Sequence, residues 1–406
     1  MVYEGDNMMG IKRTNRSAAL RLLHEHGSMS RKRLAECTKL TPAAITKIVG
    51  EMISEGLVRE GAAMPGGGAG RREITVEIDP DARCALGILI NLHQAIVSAV
   101  RLDGSVIFFE ELSLEEKSPA DETLQHLAAR LDELVKDNSL DRSRIIGLGI
   151  AIRGITSPDG RVVRNSFGAL DRKEYPLCDR LEELTGLPCV MSNNVRALFA
   201  AHMFTARDIE LDSQFFLRCE YGIGAALSVG GHIWRGSSQQ CSEVGHIPII
   251  KRGGKPCSCG KSGCLETVAS PTAILDSALE LLSPEKTPLF WSICRGRQRS
   301  EITTGDVFSA AQSGDREIAE LVDKAIEALA SVLKGVIYTL DPGKLVLYGR
   351  VFENPYYLSK LLAEMHEGID AGHDIPIEKS PYNQTLERSA AGLLTVEHFF
   401  EKGGLA

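Results

Sequence analysis

Three cysteines and a histidine stand at metal-ligand spacing, His246-x10-Cys257-x-Cys259-x4-Cys264. Thiolates and one imidazole in a loop carrying Gly253, Gly254, Gly260 and Gly263 suit tetrahedral zinc. Four protein ligands leave no position for a reacting water, so the spacing predicts a structural Zn2+ that folds a loop lacking its own core. The other seven of the ten cysteines are scattered. No N-terminal stretch has the basic, apolar, small-residue order of a secretory leader. Clustered cysteines without a leader point to metal, not to disulfides, and to the cytoplasm.

A second constellation lies near the N-terminus. Ser30 is placed to cap one short helix, about 31–37, and Thr41 to cap the next, with Pro42 in its first turn. In the latter helix Ile45, Ile48, Val49, Met52 and Ile53 form an apolar stripe, and Ala43, Ala44, Thr46 and Lys47 face the other way. Two helices joined by a tight turn, with small or polar residues outside, predict a helix-turn-helix. Ser30, Arg31, Thr41, Ala43, Ala44, Thr46 and Lys47 are its candidate DNA contacts: Thr and Ala reach thymine methyls, and Lys reaches phosphate or guanine. A Gly-rich tip over 65–72 predicts a wing whose Arg71 or Arg72 enters a narrow minor groove.

The charge distribution agrees. From Lys12 to Lys47 there are nine Lys/Arg against two Glu, a balance of +7, while the whole chain carries −8 and the remainder therefore −15. A basic module on an acidic body confines nucleic-acid contact to one end. The most apolar stretch, 84–100, is interrupted by Asn91, His93, Gln94 and Ser98, which excludes a membrane span there.

These residues need elements to hold them. Residues 1 to about 10 read as disordered, followed by a helix over about 15–26 with Ala18, Ala19, Leu22 and Leu23 on its inner face. Strands are expected near 56–58 and 74–78, then at 84–91, 95–101 and 105–112, with a helix over 121–137 and a buried strand over 145–152. A strand at 188–192 leads into a helix starting near Asn194, and strands at 215–220 and 223–229 flank Gly222-Ile223-Gly224. Mostly helical sequence follows residue 266, with a strand at 344–348 and a last helix over 389–401. Strand triplets followed by helices, occurring twice, predict an α/β fold with a head over 1–80 and a two-lobed body over 81–406.

Two segments resemble a known family. Glu243 to His246, followed by Cys257-Ser258-Cys259-Gly260-Lys261-Ser262-Gly263-Cys264-Leu265-Glu266, is similar to the signature of the ROK family (repressors, open reading frames and kinases). Residues 41–49 resemble the recognition helix of its repressors for glucose and N-acetylglucosamine. The resemblance spans about 11–400. It implies an actin-like, sugar-kinase-like two-lobed body with a cleft, behind an N-terminal winged helix-turn-helix. In family kinases an Asn-Asp pair touches the sugar and the Asp is the general base; the matching positions are Asn193 and Asn194. An amide cannot take the hydroxyl proton, although it still hydrogen-bonds the hydroxyl. The first phosphate loop of those kinases has no counterpart in 86–93, the second survives partly as Gly222-Ile223-Gly224-Ala225, and Tyr348-Gly349-Arg350 replaces a Gly-Gly pair. The resemblance carries sugar contact to Gly154, Asn193, Glu243, His246 and Glu266, with Asn194 beside them; Arg153 stands where the family has Pro. Two alternatives stay open: Glu243 as a partner orienting His246, and Glu266 as a carboxylate at a helix start.

The implied function is a cytoplasmic repressor, not an enzyme, acting on carbohydrate genes. It would bind a double-stranded DNA operator as a homodimer or tetramer. Its release would follow a sugar effector or a protein antagonist. The alternative is an active ROK sugar kinase carrying a DNA-binding head.

Overall fold

The computed structural model describes residues 8–63, 73–206, 212–367, 369 and 373–405. The chain divides into two compact units, Met1–Arg207 with Gln384–Ala406, and Asp208–Asn383. The N-terminal head belongs to the same unit as the first large sheet.

The head contains α1 (Met8–His26), β1 (Met29–Ser30), α2 (Arg31–Thr38), α3 (Pro42–Ser54), β2 (Val58–Ala63) and β3 (Ile74–Ile78), its strands forming an antiparallel sheet in the order β1-β3-β2. Helix α1 starts at Met8, about two turns earlier than expected, so residues 8–10 are helical and not disordered as expected, and residues 1–7 lie outside the described residues. Its buried stripe is Arg16, Ala19, Leu20 and Leu23, not Ala18 and Leu22. The register differs because a fully buried arginine occupies a core position; its guanidinium donates to Gly403 O at 2.7 Å and to both Glu55 carboxylate oxygens.

The first unit continues with β4 (Cys84–Ile90), β5 (Gln94–Arg101), β6 (Val106–Ser113), α4 (Ala120–Asp137), β7 (Ile145–Ile152), β8 (Ile155–Thr156), β9 (Val163–Asn165), α5 (Leu177–Thr185), β10 (Cys189–Asn193) and α6 (Asn194–Ala206). Its five-stranded sheet runs β10-β7-β4-β5-β6, with β4, β5 and β6 antiparallel and β7 and β10 parallel to β4. The second unit holds β11 (Ser213–Cys219), β12 (Ile223–Val229), β13 (His232–Trp234), α7 (Glu266–Ala269), α8 (Pro271–Leu281), α9 (Pro288–Cys294), α10 (Thr304–Gln312), α11 (Arg316–Leu340), β14 (Lys344–Tyr348), α12 (Pro355–His366) and β15 (Ile377–Ser380). Its sheet, β13-β12-β11-β14-β15, repeats the plan of the first: an antiparallel triplet with two parallel strands added beyond its first strand.

The chain then returns to the first unit as α13 (Gln384–Glu401), which starts five residues before the expected helix. It lies directly on the sheet. A Cβ at Gly149 would fall 1.8 Å from Ala391 O, so only glycine allows this approach. The other face of that sheet buries Leu86, Ile88, Ile90 and Val97 with Leu124, Leu127 and Leu131 of α4. Among the described residues no helix is long and apolar enough to cross a membrane.

Candidate functional site

The second unit brings His246, Cys257, Cys259 and Cys264 together, with their ligand atoms all within 4.8 Å of one another. Cys259 Sγ lies 3.7 Å from Cys264 Sγ, and Cys257 Sγ lies 3.5 Å from His246 Nδ1. A tetrahedral zinc with bonds of about 2.3 Å to sulfur and about 2.0 Å to nitrogen needs S···S edges of about 3.8 Å and S···N edges of about 3.5 Å. The cluster can therefore hold a metal ion with little movement. Backbone hydrogen bonds shape it: Cys257 N donates to Lys261 O, Gly260 N to Cys257 O and Gly263 N to Lys255 O. Gly260 and Gly263 sit at φ +88° and +70°, and a Cβ at Gly263 would meet Ile250 O at 2.2 Å. Burial pushes the Cys264 thiol up to about 12 and also raises Cys257. Burial acts the same way on Cys259, but the Lys261 backbone amide and the neighbouring thiols outweigh it and hold that thiol below its ordinary value. Bound metal would displace these protons.

His246 turns Nδ1 toward Cys257. Ligation through Nδ1 leaves Nε2 on the other edge of the ring as a donor. His246 ends a single 3-10 turn, Val244–His246, whose entry residue is half-buried Glu243; His246 N donates to Glu243 O at 3.1 Å. Beneath this turn a Cβ at Gly245 would fall 2.0 Å from Ile223 O. Glu266 opens the short α7, and its Oε2 accepts from Ile223 N at 3.0 Å. The same oxygen would lie 2.2 Å from a Cβ on Gly222. The turn Gly222-Ile223-Gly224 thus seats both Glu266 and the Glu243–His246 segment. Of the two alternatives for Glu266, this contact is neither a ring-hydroxyl contact nor one with its own helix: the carboxylate holds the glycine turn.

One residue that sequence reasoning missed is Glu220, which is 7% exposed. Its carboxylate accepts from Arg350 N, and the Arg350 guanidinium lies 3.8 Å away. Arg350 also stacks over the Tyr382 ring at 4.4 Å and donates to its hydroxyl at 2.9 Å. The sequence signal was a carboxylate two residues before Gly222-Ile223-Gly224, at the position facing the Arg350 that replaces a glycine.

In the first unit Asn193 is 8% exposed and its Nδ2 donates to Gly154 O at 2.8 Å. Its Oδ1 accepts from Val195 N at 2.9 Å and Arg196 N at 3.4 Å, capping α6. Asn194 Nδ2 donates to Asn91 Oδ1 at 2.9 Å. Gly154 stands at φ +135°, where a Cβ would fall 2.0 Å from Asn165 O. Gly154–Asn193 and Asn194–Asn91 are therefore two hydrogen-bonded pairs set side by side by the adjacent asparagines, with Asn91 not singled out from sequence. Glu243, His246 and Glu266 form a separate group in the second unit.

In the head, Ser30 Oγ accepts from Arg33 N and Thr41 Oγ1 from Ala44 N, each at 3.2 Å. Lys39 at φ +56° ends α2. Ala43, Thr46 and Lys47 are exposed on α3, opposite buried Ile45, Ile48 and Val49; Ala44 is half-buried. Ser30 is buried with its hydroxyl engaged as a cap, and Arg31 is paired to Glu60 at 2.9 Å, so both present less to DNA than the sequence suggested. Arg71 and Arg72 lie outside the described residues.

Residues 87–390 match the ROK family profile. The chain is 26% identical over 347 residues to the DNA-binding transcriptional dual regulator NagC of Escherichia coli strain K12, covering 84% of this chain and 82% of that protein. The crystal structure of a ROK family transcriptional regulator, a homolog of the E. coli Mlc protein, superposes with a TM-score of 0.78 at 23% identity over 97% of each chain. A ROK family glucokinase from Streptomyces griseus, solved with glucose and AMPPNP, superposes with a TM-score of 0.62 at 19% identity, covering 98% of that chain but 76% of this one.

Proposed function

Because this chain belongs to the ROK family, we propose that it is a DNA-binding transcriptional repressor of carbohydrate genes whose kinase-like body senses a sugar-type ligand without reacting on it. One observation carries the reading: the likeness to a regulator runs through 97% of the chain, head included, whereas the likeness to a kinase leaves about a quarter of it unmatched. The sequence relative named as a regulator agrees.

The head over 1–80 is a winged helix-turn-helix that lays α3 in the major groove. Ala43, Ala44 and Thr46 meet base edges, Lys47 meets phosphate or guanine, and Thr41, Arg31 and Ser30 hold the helix ends; Arg71 and Arg72 are assigned to the minor groove. The body over 81–406 binds the effector and assembles the homodimer or tetramer. In the first unit Gly154, Asn193 and Asn194 are candidate sugar contacts through amide and carbonyl groups; in the second unit, taken by itself, Glu243, His246 and Glu266 are candidates, a carboxylate and an imidazole N–H supported by the Glu266 carboxylate. His246, Cys257, Cys259 and Cys264 hold a structural Zn2+, and that same ligation sets the His246 tautomer. The protein works in the cytoplasm, and a protein antagonist is a second route to release.

Two residues support the non-catalytic reading. Asn194 has no proton-accepting carboxylate, and one of its two amide hydrogens is engaged with Asn91. Beside the remaining glycine turn stands the buried Glu220 carboxylate, whose charge opposes a phosphate. Selection of bound duplexes from a random pool by the full chain tests the reading. An inverted repeat should be enriched, as a symmetric oligomer requires; an unenriched pool contradicts it. The kinase likeness and the retained glycine turn favour a second reading, an active sugar kinase with a DNA-binding head. Hexose-dependent ATP turnover that disappears in Glu243→Ala would establish that reading instead.

A further inference from the structure

We infer that α6 is a strut that couples the Asn193–Asn194 group to the DNA-binding head, with His24 as the positioning residue at its far end. The inference deepens the proposed function and rests on it for its biological meaning.

The near end of α6 is Asn194, and its cap is Asn193, tied to Gly154 at 2.8 Å. A displacement of this group by a ligand is a displacement of the helix start. The helix has 13 residues, so it spans about 20 Å at 1.5 Å per residue. Every residue from Val195 to Met203 is buried, which leaves the helix no exposed flank on which to bend separately. It packs along α13. Packed helices shift as bodies, not by continuous deformation.

The far end meets the head. His24, in the last turn of α1, donates from Nε2 to Phe204 O at 2.8 Å. That carbonyl lies in the last turn of α6. The two rings stack at 3.7 Å with an interplanar angle of 29°. Phe400 of α13 closes the cluster, its centroid 5.9 Å from each ring. The same end of α13 is gripped by the head elsewhere, through Arg16 to Gly403 O and Arg13 Nε to Glu401 O at 3.3 Å. A shift of α6 along its axis therefore moves Phe204 against His24, and α1 carries the motion into the head that holds α2 and α3. The device needs no new contact at the DNA. It changes where the recognition helices stand.

The test uses four full-length proteins: wild type, Asn193→Asp, His24→Ala and the double variant. Asn193→Asp keeps an oxygen to cap α6, removes the donor to Gly154 O and sets a carboxylate oxygen against that carbonyl, so it perturbs the start of α6 directly. Hydrogen–deuterium exchange is read at the α1 amides with neither sugar nor DNA present. The strut predicts that Asn193→Asp changes α1 exchange by on the order of threefold or more, and that the same substitution changes nothing further once His24 is alanine. An equal change in both backgrounds, or no change in either, overturns it. Operator affinity is measured on the same proteins. A wild type that binds no duplex specifically defeats the repressor reading and leaves the exchange result to decide the strut. Where glucose, N-acetylglucosamine or xylose weakens wild-type binding, His24→Ala should cut that factor to near unity while still binding both ligand and DNA.

Discussion

At the scale of single residues, the Cys/His cluster that could hold a metal ion was legible, and the polar partners of the other site residues only partly so. His246, Cys257, Cys259 and Cys264 lie within 19 positions, so spacing alone specifies the cluster that forms. Cys259→Ser should abolish stoichiometric zinc and destabilise the protein by about 4 kcal/mol or more, since metal binding and folding of this loop are one equilibrium. Metal analysis with a denaturant melt checks this, and a zinc-free wild type of unchanged stability contradicts it. Lys47 projects from the exposed face of α3. Lys47→Ala should weaken binding to operator and unrelated duplexes alike and reduce the salt slope by about 1 if it meets phosphate; loss of discrimination at one base pair instead would assign it to guanine. Glu220 shows what spacing hides. Its partner Arg350 is 130 residues away, so neither could be read as half of a pair from local sequence. Glu266 illustrates a different limit: the resemblance supplied the residue, but only the structure shows its carboxylate against Ile223 N.

At the scale of elements, periodicity located most strands and helices and misjudged where long-range contacts intervene. Eight of the ten strands of the two large sheets were placed within a few residues, because continuous apolar runs such as 145–152 read as buried strands whatever covers them, whereas the short edge strands β13 and β15 carried no such run and were not expected. Helix α1 was set in the wrong register because Arg16 looks like a surface residue until Gly403 and Glu55 are brought to it from distant sequence. The short β8–β9 hairpin carried no pattern, yet the loop between its strands is tied to α5: Arg161 is bonded to Asp179 and to Glu182 at 2.5 Å. Glu182 also accepts from Cys189 N at 2.9 Å, fixing α5 to β10 and hence to Asn193. The Arg161 hydrogen bond holds the Glu182 carboxyl below its ordinary value of 4.5. A depressed carboxylate pKa means that the unfolded chain binds the proton more readily, so this stabilisation is complete above the ordinary carboxylate range and lost as pH falls through the depressed value. Both side chains are about one-third exposed, so Glu182→Gln should cost only about 0.5–1 kcal/mol at neutral pH. The difference from wild type should vanish in acid melts. A constant difference at all pH values would assign the cost to packing.

At the scale of the whole molecule, charge and topology carry the account. The basic stretch from Lys12 to Lys47 falls within the helical head, and the acidic remainder supplies the two sheet units. The repeated strand plan of those units was legible as strand triplets followed by helices; the return of α13 to the first unit was not, because nothing in a C-terminal amphipathic segment says which sheet it will cover. That return joins the end of the chain to the head, through Arg16 to Gly403 O and Arg13 to Glu401 O. The central claim is that this body senses a sugar and the head answers on DNA. Fluorescence anisotropy of a labelled inverted-repeat duplex from the chain's own promoter region, titrated with the full protein at fixed salt with and without glucose, N-acetylglucosamine, its 6-phosphate or xylose, tests that claim most directly. The account predicts specific binding that one of these sugars weakens by roughly 5-fold or more. Equal affinity for operator and scrambled duplex, unmoved by every sugar, would contradict it.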